Sequence, residues 1–154
     1  MDTIDLAILE LLRGNARLSY AELARQVGLS APAVHERVGK LEASGVIRGY
    51  RAEVAPETIG LGVTAMIGVV QDHRVESDGV LAELSAWPEI ESCYFMAGAE
   101  SFLLMVRLGT IADLEQLIGR LNRTAGVAST RTAIALSTKW ENRPQPVPTE
   151  RAPE

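Results

Sequence analysis

SYAELARQVGLSAPAVHERVGKL, residues 19–41, sets the reading of the whole chain. Ser19 and Glu22 have the spacing of a capping box, in which each side chain closes a backbone amide left open at a helix start. Leu23, Ala24 and Val27 follow at helical intervals, and Gly28 supplies the left-handed residue that ends the helix. Leu29 can fold back over that end. Ser30 is placed to cap a second helix that carries Val34, Val38 and Leu41 at i, i+4 and i+7. Two helices of this length around a glycine-containing turn make a helix-turn-helix unit, whose second helix fits a DNA major groove. An ordinary helical hairpin has the same ingredients, so the flanking sequence must separate the two readings.

Upstream, Ile4, Ile8, Leu11 and Leu12 form the buried stripe of a helix expected from about Thr3 to Arg13, with Gly14 as its stop. Asp2 and Asp5 lie near its positive end. The second helix is expected over Tyr20–Val27 and the third over Ala31–Ala43. On the third, the side away from Val34, Val38 and Leu41 presents Pro32, His35, Glu36, Gly39 and Lys40, with Ala33 at its edge. This is the face aimed at base edges. Ser30 serves either as a phosphate donor or as a plain cap. Arg37 borders the buried stripe and fits two roles, a phosphate contact or an ion pair with an acid such as Glu10 or Glu42. Glu36 turns a negative charge toward the presumed groove; it can accept from a cytosine amine but costs affinity elsewhere.

After Gly45, VIRGYRAEV (residues 46–54) predicts two small strands bent around Gly49. Such a hairpin is a wing, with Arg48 and Arg51 near DNA phosphates, although a solvated edge uses arginine equally well.

The 154 residues are 47% apolar and 23% charged, enough for a sizeable core in one large or two small domains. No apolar run reaches the roughly 18 residues of a membrane span. The opening MDTIDLAILELL lacks a basic leader and reads as folded structure, so a cytoplasmic protein is expected, nucleoid-associated when bound to DNA. Cys93 is the single cysteine, which excludes an intramolecular disulfide. The net charge of −5 is unevenly spread: residues 1–53 hold seven basic and seven acidic side chains, and residues 54–154 hold eight against thirteen. A nearly neutral DNA-binding unit grips phosphate weakly as a monomer, and dimerisation doubles its contacts.

Residues 55–62 read as a connector between a first unit, 1–54, and a second, 63–140. In the second, apolar periodicity and turn residues predict strand, helix, strand, strand, helix, strand. That order has a familiar solution, a four-stranded antiparallel sheet with both helices on one face, the ferredoxin-like βαββαβ arrangement of an α+β protein. Both faces of the strands carry apolar residues, such as Ala65, Ile67 and Val69 against Met66 and Val70. One face packs under the helices, and the other calls for a second subunit. Residues 140–154 hold four prolines and few apolar groups, so a disordered or extended tail is expected over 141–154.

No catalytic, metal or cofactor constellation is visible. His35 and His73 lack ligand spacing with Cys93, which reads as a small buried hydrophobe. The turn Gly98-Ala99-Glu100-Ser101 combines backbone freedom with polar groups, and reads either as a simple turn or as a small-ligand site.

Taken together, IDLAILELLRGNARLSYAELARQVGLS, VHERVGKLEASGVIRGYRAEVAPETIGLG, MAGAESFLLMV and GVASTRTAIAL resemble the Lrp/AsnC, or feast/famine, family of prokaryotic transcription regulators, through about Trp140. The resemblance places Arg37 at the family's recognition-helix arginine and Lys40 at its later basic residue. It implies a DNA-binding N-terminal unit and a C-terminal regulatory domain that dimerises and commonly builds tetramers or octamers. It also implies an amino-acid effector, for which Gly98, Ala99, Glu100 and Ser101 are the candidate residues. Glu36 and Gly39 stand where relatives are often basic, and Ser101 where an aspartate is common.

The chain is therefore expected to be a homo-oligomeric, sequence-specific regulator of double-stranded DNA, with contacts from Ser30, Pro32, Ala33, His35, Glu36, Arg37, Lys40, Arg48 and Arg51. Its rivals are a ligand-sensing oligomer without DNA affinity and an enzyme of the siroheme-decarboxylase type, whose architecture is related.

Overall fold

Reciprocal caps set the helix starts of the N-terminal unit. In helix α1 (Thr3–Gly14), the Asp2 carboxylate accepts from the Asp5 amide and the Asp5 carboxylate from the Asp2 amide, each at 2.9 Å. Helix α2 (Tyr20–Val27) repeats the device with Ser19 and Glu22, and ends on Gly28 at φ +73°. Helix α3 (Ala31–Ala43) opens on Ser30, whose hydroxyl accepts from the Ala33 amide at 3.4 Å. Ile8, Leu12, Leu23, Ala24, Val34, Val38 and Leu41 make the core of this unit. Burying each of the Ile, Leu and Val side chains contributes about 1.5–3 kcal/mol before chain entropy is charged against it.

The computed structural model describes residues 1–72 and 74–147, so His73 and the part of the expected disordered tail beyond 147 lie outside the described residues. The chain divides into two units, Met1–Ala52 with the segment from Trp140 onward, and Glu53–Lys139.

The two small strands expected after Gly45 do not form. Residues 46–54 hold no strand. Gly45 at φ +73° turns the chain back, and the Ile47 amide donates to the Leu41 carbonyl at 3.0 Å, so Ile47 closes the end of α3 and packs on its core. Tyr50 donates its hydroxyl to Glu42, at 2.8 Å. The Ile47 amide and the Tyr50 hydroxyl are thus engaged with α3.

In the second unit, a single turn of 3₁₀ helix (Pro56–Ile59) leads to β1 (Val63–Gln71), α4 (Ser77–Leu84), β2 (Ile90–Phe95), β3 (Phe102–Leu108), α5 (Ile111–Leu121) and β4 (Val127–Ile134). The strands are antiparallel in the order β2-β3-β1-β4, the ferredoxin-like topology. Ala65 pairs with Val106, Ile67 with Leu104 and Val69 with Phe102. Those residues share one face, and Val80 and Leu84 of α4 and Leu114, Leu117 and Leu121 of α5 pack against it. The alternate face pairs Met66 with Met105 and Tyr94 with Leu103. Among the described residues nothing covers it fully: Tyr94 is 54% exposed and Met66 36%. Cys93, expected as a buried hydrophobe, is exposed, because β2 is an edge strand.

Candidate functional site

The outward side of α3 is built as its periodicity requires. Val34 and Val38 are buried, while Pro32, His35, Glu36, Gly39 and Lys40 are exposed and Ala33 and Arg37 half-buried. Ser30 is exposed at the amino end of the helix, where its hydroxyl is engaged as a cap. The His35 ring meets Tyr20 of α2 edge-on, with centroids 4.9 Å apart, which orients it on the α2 side of that face.

Two charged groups on α3 are already partnered. Arg37 donates to both Asp2 and Asp5, at 2.8 and 2.7 Å, and so clasps the cap of α1. Of the two roles open to it, the structure shows an ion pair, with Asp2 and Asp5 and not with Glu10 or Glu42. The Asp5 backbone amide first, and Arg37 second, hold the Asp2 carboxyl below its ordinary value. Lys40 pairs with Glu36 one turn earlier, at 2.7 Å. That contact holds the Glu36 carboxyl down and offsets part of its repulsion toward a phosphate backbone. Arg48 and Arg51 are exposed, as the wing reading required, and Arg13 of α1 lines the same groove with them. Arg13 was not among the expected residues; on sequence alone it is simply a cation at a helix end.

The second candidate site lies at the turn between β2 and β3. The Ser101 amide donates to Val69 of β1 at 2.8 Å, and its hydroxyl accepts from the Gln71 amide at 3.2 Å. Gln71 is buried and fully engaged: its amide group donates to the Val75 carbonyl and accepts from the Ser77 hydroxyl. A cavity of about 690 Å³ opens beside these groups, lined by Gly98 and Ser101 together with Gln71, Ser77, Glu76 and Asp78. Ala99 and Glu100 are not part of its lining. Glu100 instead lies across Gly68, where an added Cβ would sit 2.6 Å from the Glu100 Cγ, and pairs with Arg131 of β4 at 2.9 Å. Gln71 and Ser77 were missed because the loop between them carries no regular spacing, and only the return of the chain through β2 brings Ser101 to Gln71. Among the described residues, no group of three His, Cys, Asp or Glu side chains is placed to hold a metal ion, and no helix is long and apolar enough to cross a membrane.

With this geometry in place, comparison with known proteins is decisive. Residues 1–48 match a model described as winged helix-turn-helix DNA-binding, and residues 63–145 match the Lrp/AsnC ligand binding domain. The chain belongs to the Lrp/AsnC family. Among its relatives in that family, the HTH-type transcriptional regulator LrpA of Mycobacterium tuberculosis is 38% identical over 143 residues, 93% of this chain and 95% of the relative. The regulatory protein AsnC of Escherichia coli K12 is 36% identical over 137 residues, 88% of this chain and 90% of the relative. A solved feast or famine regulatory protein of M. tuberculosis, complexed with L-methionine, superposes with a TM-score of 0.89 at 37% identity, covering 96% of this chain and 99% of that one. This Lrp/AsnC-family chain is thus a DNA-binding transcriptional regulator with a helix-turn-helix unit ahead of a ligand-binding domain. The relatives named here are regulators, not enzymes.

Proposed function

We propose that the protein acts as a homo-oligomer that reads specific double-stranded DNA sites through α3 and changes its DNA occupancy when an amino acid or related metabolite binds beside the turn 98–101. The observation that carries the reading is the division of α3, with Val34, Val38 and Leu41 buried on one side and Pro32, His35, Glu36 and Lys40 exposed on the other, the side turned to base edges. Ser30, Arg48 and Arg51 position the helix through the phosphate backbone, and Ala33 lies at the margin of the reading face. Arg37 contributes by fixing α3 on α1 and is a weaker candidate for a phosphate contact.

Two further observations support the oligomer and the effector. The apolar outer sheet face, with Met66, Tyr94, Leu103 and Met105, suits a second copy of the chain, and a two-fold pair would present two copies of α3 to successive major grooves. The same face permits larger assemblies. At the turn, the cavity offers Glu76 and Asp78 for an ammonium group, the Ser101 hydroxyl as a neutral donor, and the Ser77 hydroxyl, whose proton goes to Gln71, as an acceptor. Ser101 itself brings no charge. A regulator of this kind works in the cytoplasm, at the nucleoid when bound.

Selection of genomic fragments with purified protein tests the function, with an amino-acid panel, methionine included, scored for altered DNA binding and altered assembly. Recovery of discrete palindromic sites, weakened steeply by salt, is the expected result. Absence of binding at every salt concentration would favour the ligand-sensing oligomer, a reading that draws on the internal pairing of Arg37 and Lys40.

A further inference from the structure

In the N-terminal unit, α1 and the segment 46–51 enclose a groove of about 740 Å³, lined by Leu9, Leu12, Ile47 and Tyr50 along with Arg13, Arg48 and Arg51. The apolar residues bordering it need cover, since Val46 and Tyr50 are each 48% exposed. One residue from the far end of the sequence is already there. Val147 lines the groove, and its amide donates to the Glu10 carboxylate of α1 at 2.9 Å.

The sequence leading to Val147 suits this task. Pro144 and Pro146 stiffen the segment in an extended form, so docking costs less conformational entropy than it would for a flexible chain. Each proline also removes an amide, so that of residues 144–147 only Gln145 and Val147 can donate, and Val147 donates to Glu10. Covalent attachment keeps the local concentration of the segment high. The groove's other wall is the arm bearing Arg48 and Arg51, which has no strand partner of its own.

We propose that the C-terminal segment Arg143–Val147 is an intramolecular ligand of this groove, and that its docking holds Arg48 and Arg51 in position for the DNA backbone. The positioning role rests on the DNA-binding reading above; the contact itself does not.

The contact is tested with a spin label on Gln145→Cys in a Cys93→Ser background, read as broadening of the Leu9, Leu12 and Ile47 methyl resonances of the full chain. A mixture of methyl-labelled chains without spin label and spin-labelled chains without methyl label separates the source of the segment. Broadening confined to the chain that carries the spin label supports the proposal. Broadening on the partner chain assigns the groove to a second copy and overturns it, as does no broadening at all. The consequence is tested with Val147→Pro, which removes the amide that donates to Glu10 and leaves α3 untouched. The variant should release the methyls from broadening and bind a selected DNA fragment about three- to tenfold more weakly, with an unchanged salt slope, because an ordered arm becomes a mobile one. Release of the segment with DNA affinity unchanged or raised would overturn the positioning role. Failure of the unmodified chain to bind any DNA would instead sink the regulatory reading and the positioning role together, while the spin-label result would still decide the contact.

Discussion

Arg37 ties the pose of α3 to the start of the chain. Its two ion pairs join α3 to the capping carboxylates of α1, so the recognition helix is oriented by the start of the chain. Replacing Arg37 with Gln should lower the melting temperature of the helical unit and weaken binding to all DNA sequences alike, which thermal melts and binding to two unrelated fragments would show. The pH dependence has a definite sign. Asp2 has a lowered carboxyl value in the folded chain, so its contribution is complete above the ordinary value of 3.8 and is lost as pH falls through the lower folded value. Acid titration followed by amide exchange in α1 should therefore show the helix opening below about pH 4, and Asp2→Asn should flatten that profile. Lys40 and Glu36 make a different case, because their pair is fully solvated and easily exchanged for a phosphate. Lys40→Ala should reduce the salt slope of DNA binding by about one. Glu36→Gln should raise affinity by freeing Lys40, and an affinity unchanged or reduced would show that Glu36 itself reads a base.

At the level of elements, the sheet depends on a few close approaches. Gly126 precedes β4 at φ +89°, and a Cβ there would lie 2.6 Å from Val80 of α4. Gly126→Ala should cost about 1–3 kcal/mol in chemical denaturation, from strain and overpacking together. Ser101→Ala removes the acceptor for the Gln71 amide and should cost about 1 kcal/mol while altering the response to effector, measured by ligand titration of assembly. The three N-terminal helices and the order of the sheet were legible from sequence because capping boxes and apolar periodicity are local signals; Ser19 with Glu22 and the spacing of Val34, Val38 and Leu41 needed no knowledge of distant chain. The two small strands were misread because VIRGYRAEV has the composition of a hairpin, whereas Ile47 is spent on closing α3 and Tyr50 on Glu42. Cys93 was misread because alternation along a strand says nothing of whether that strand lies at a sheet edge. The meeting of Gln71 with Ser101 and the approach of Val147 to Glu10 depend on chain returns that no local pattern records.

For the whole molecule, a near-neutral reading unit and an uncovered apolar sheet face answer each other. One copy of α3 would bring few net positive contacts to DNA, and the proposed pairing through the outer face would double them without adding a residue. Met66→Glu together with Met105→Glu should leave the helix-packed core intact, since both lie on the opposite face, while shifting sedimentation toward monomer and lowering DNA affinity by at least tenfold. The central claim is that paired copies of α3 read DNA. Its most direct measurement is the binding of the full chain to a selected palindromic fragment, followed against salt and against half-site spacing. The account predicts a steep fall in affinity with salt and a sharp optimum when the half-sites lie one helical turn, or a multiple of it, apart. Binding that ignores half-site spacing, or none at any salt concentration, would contradict it.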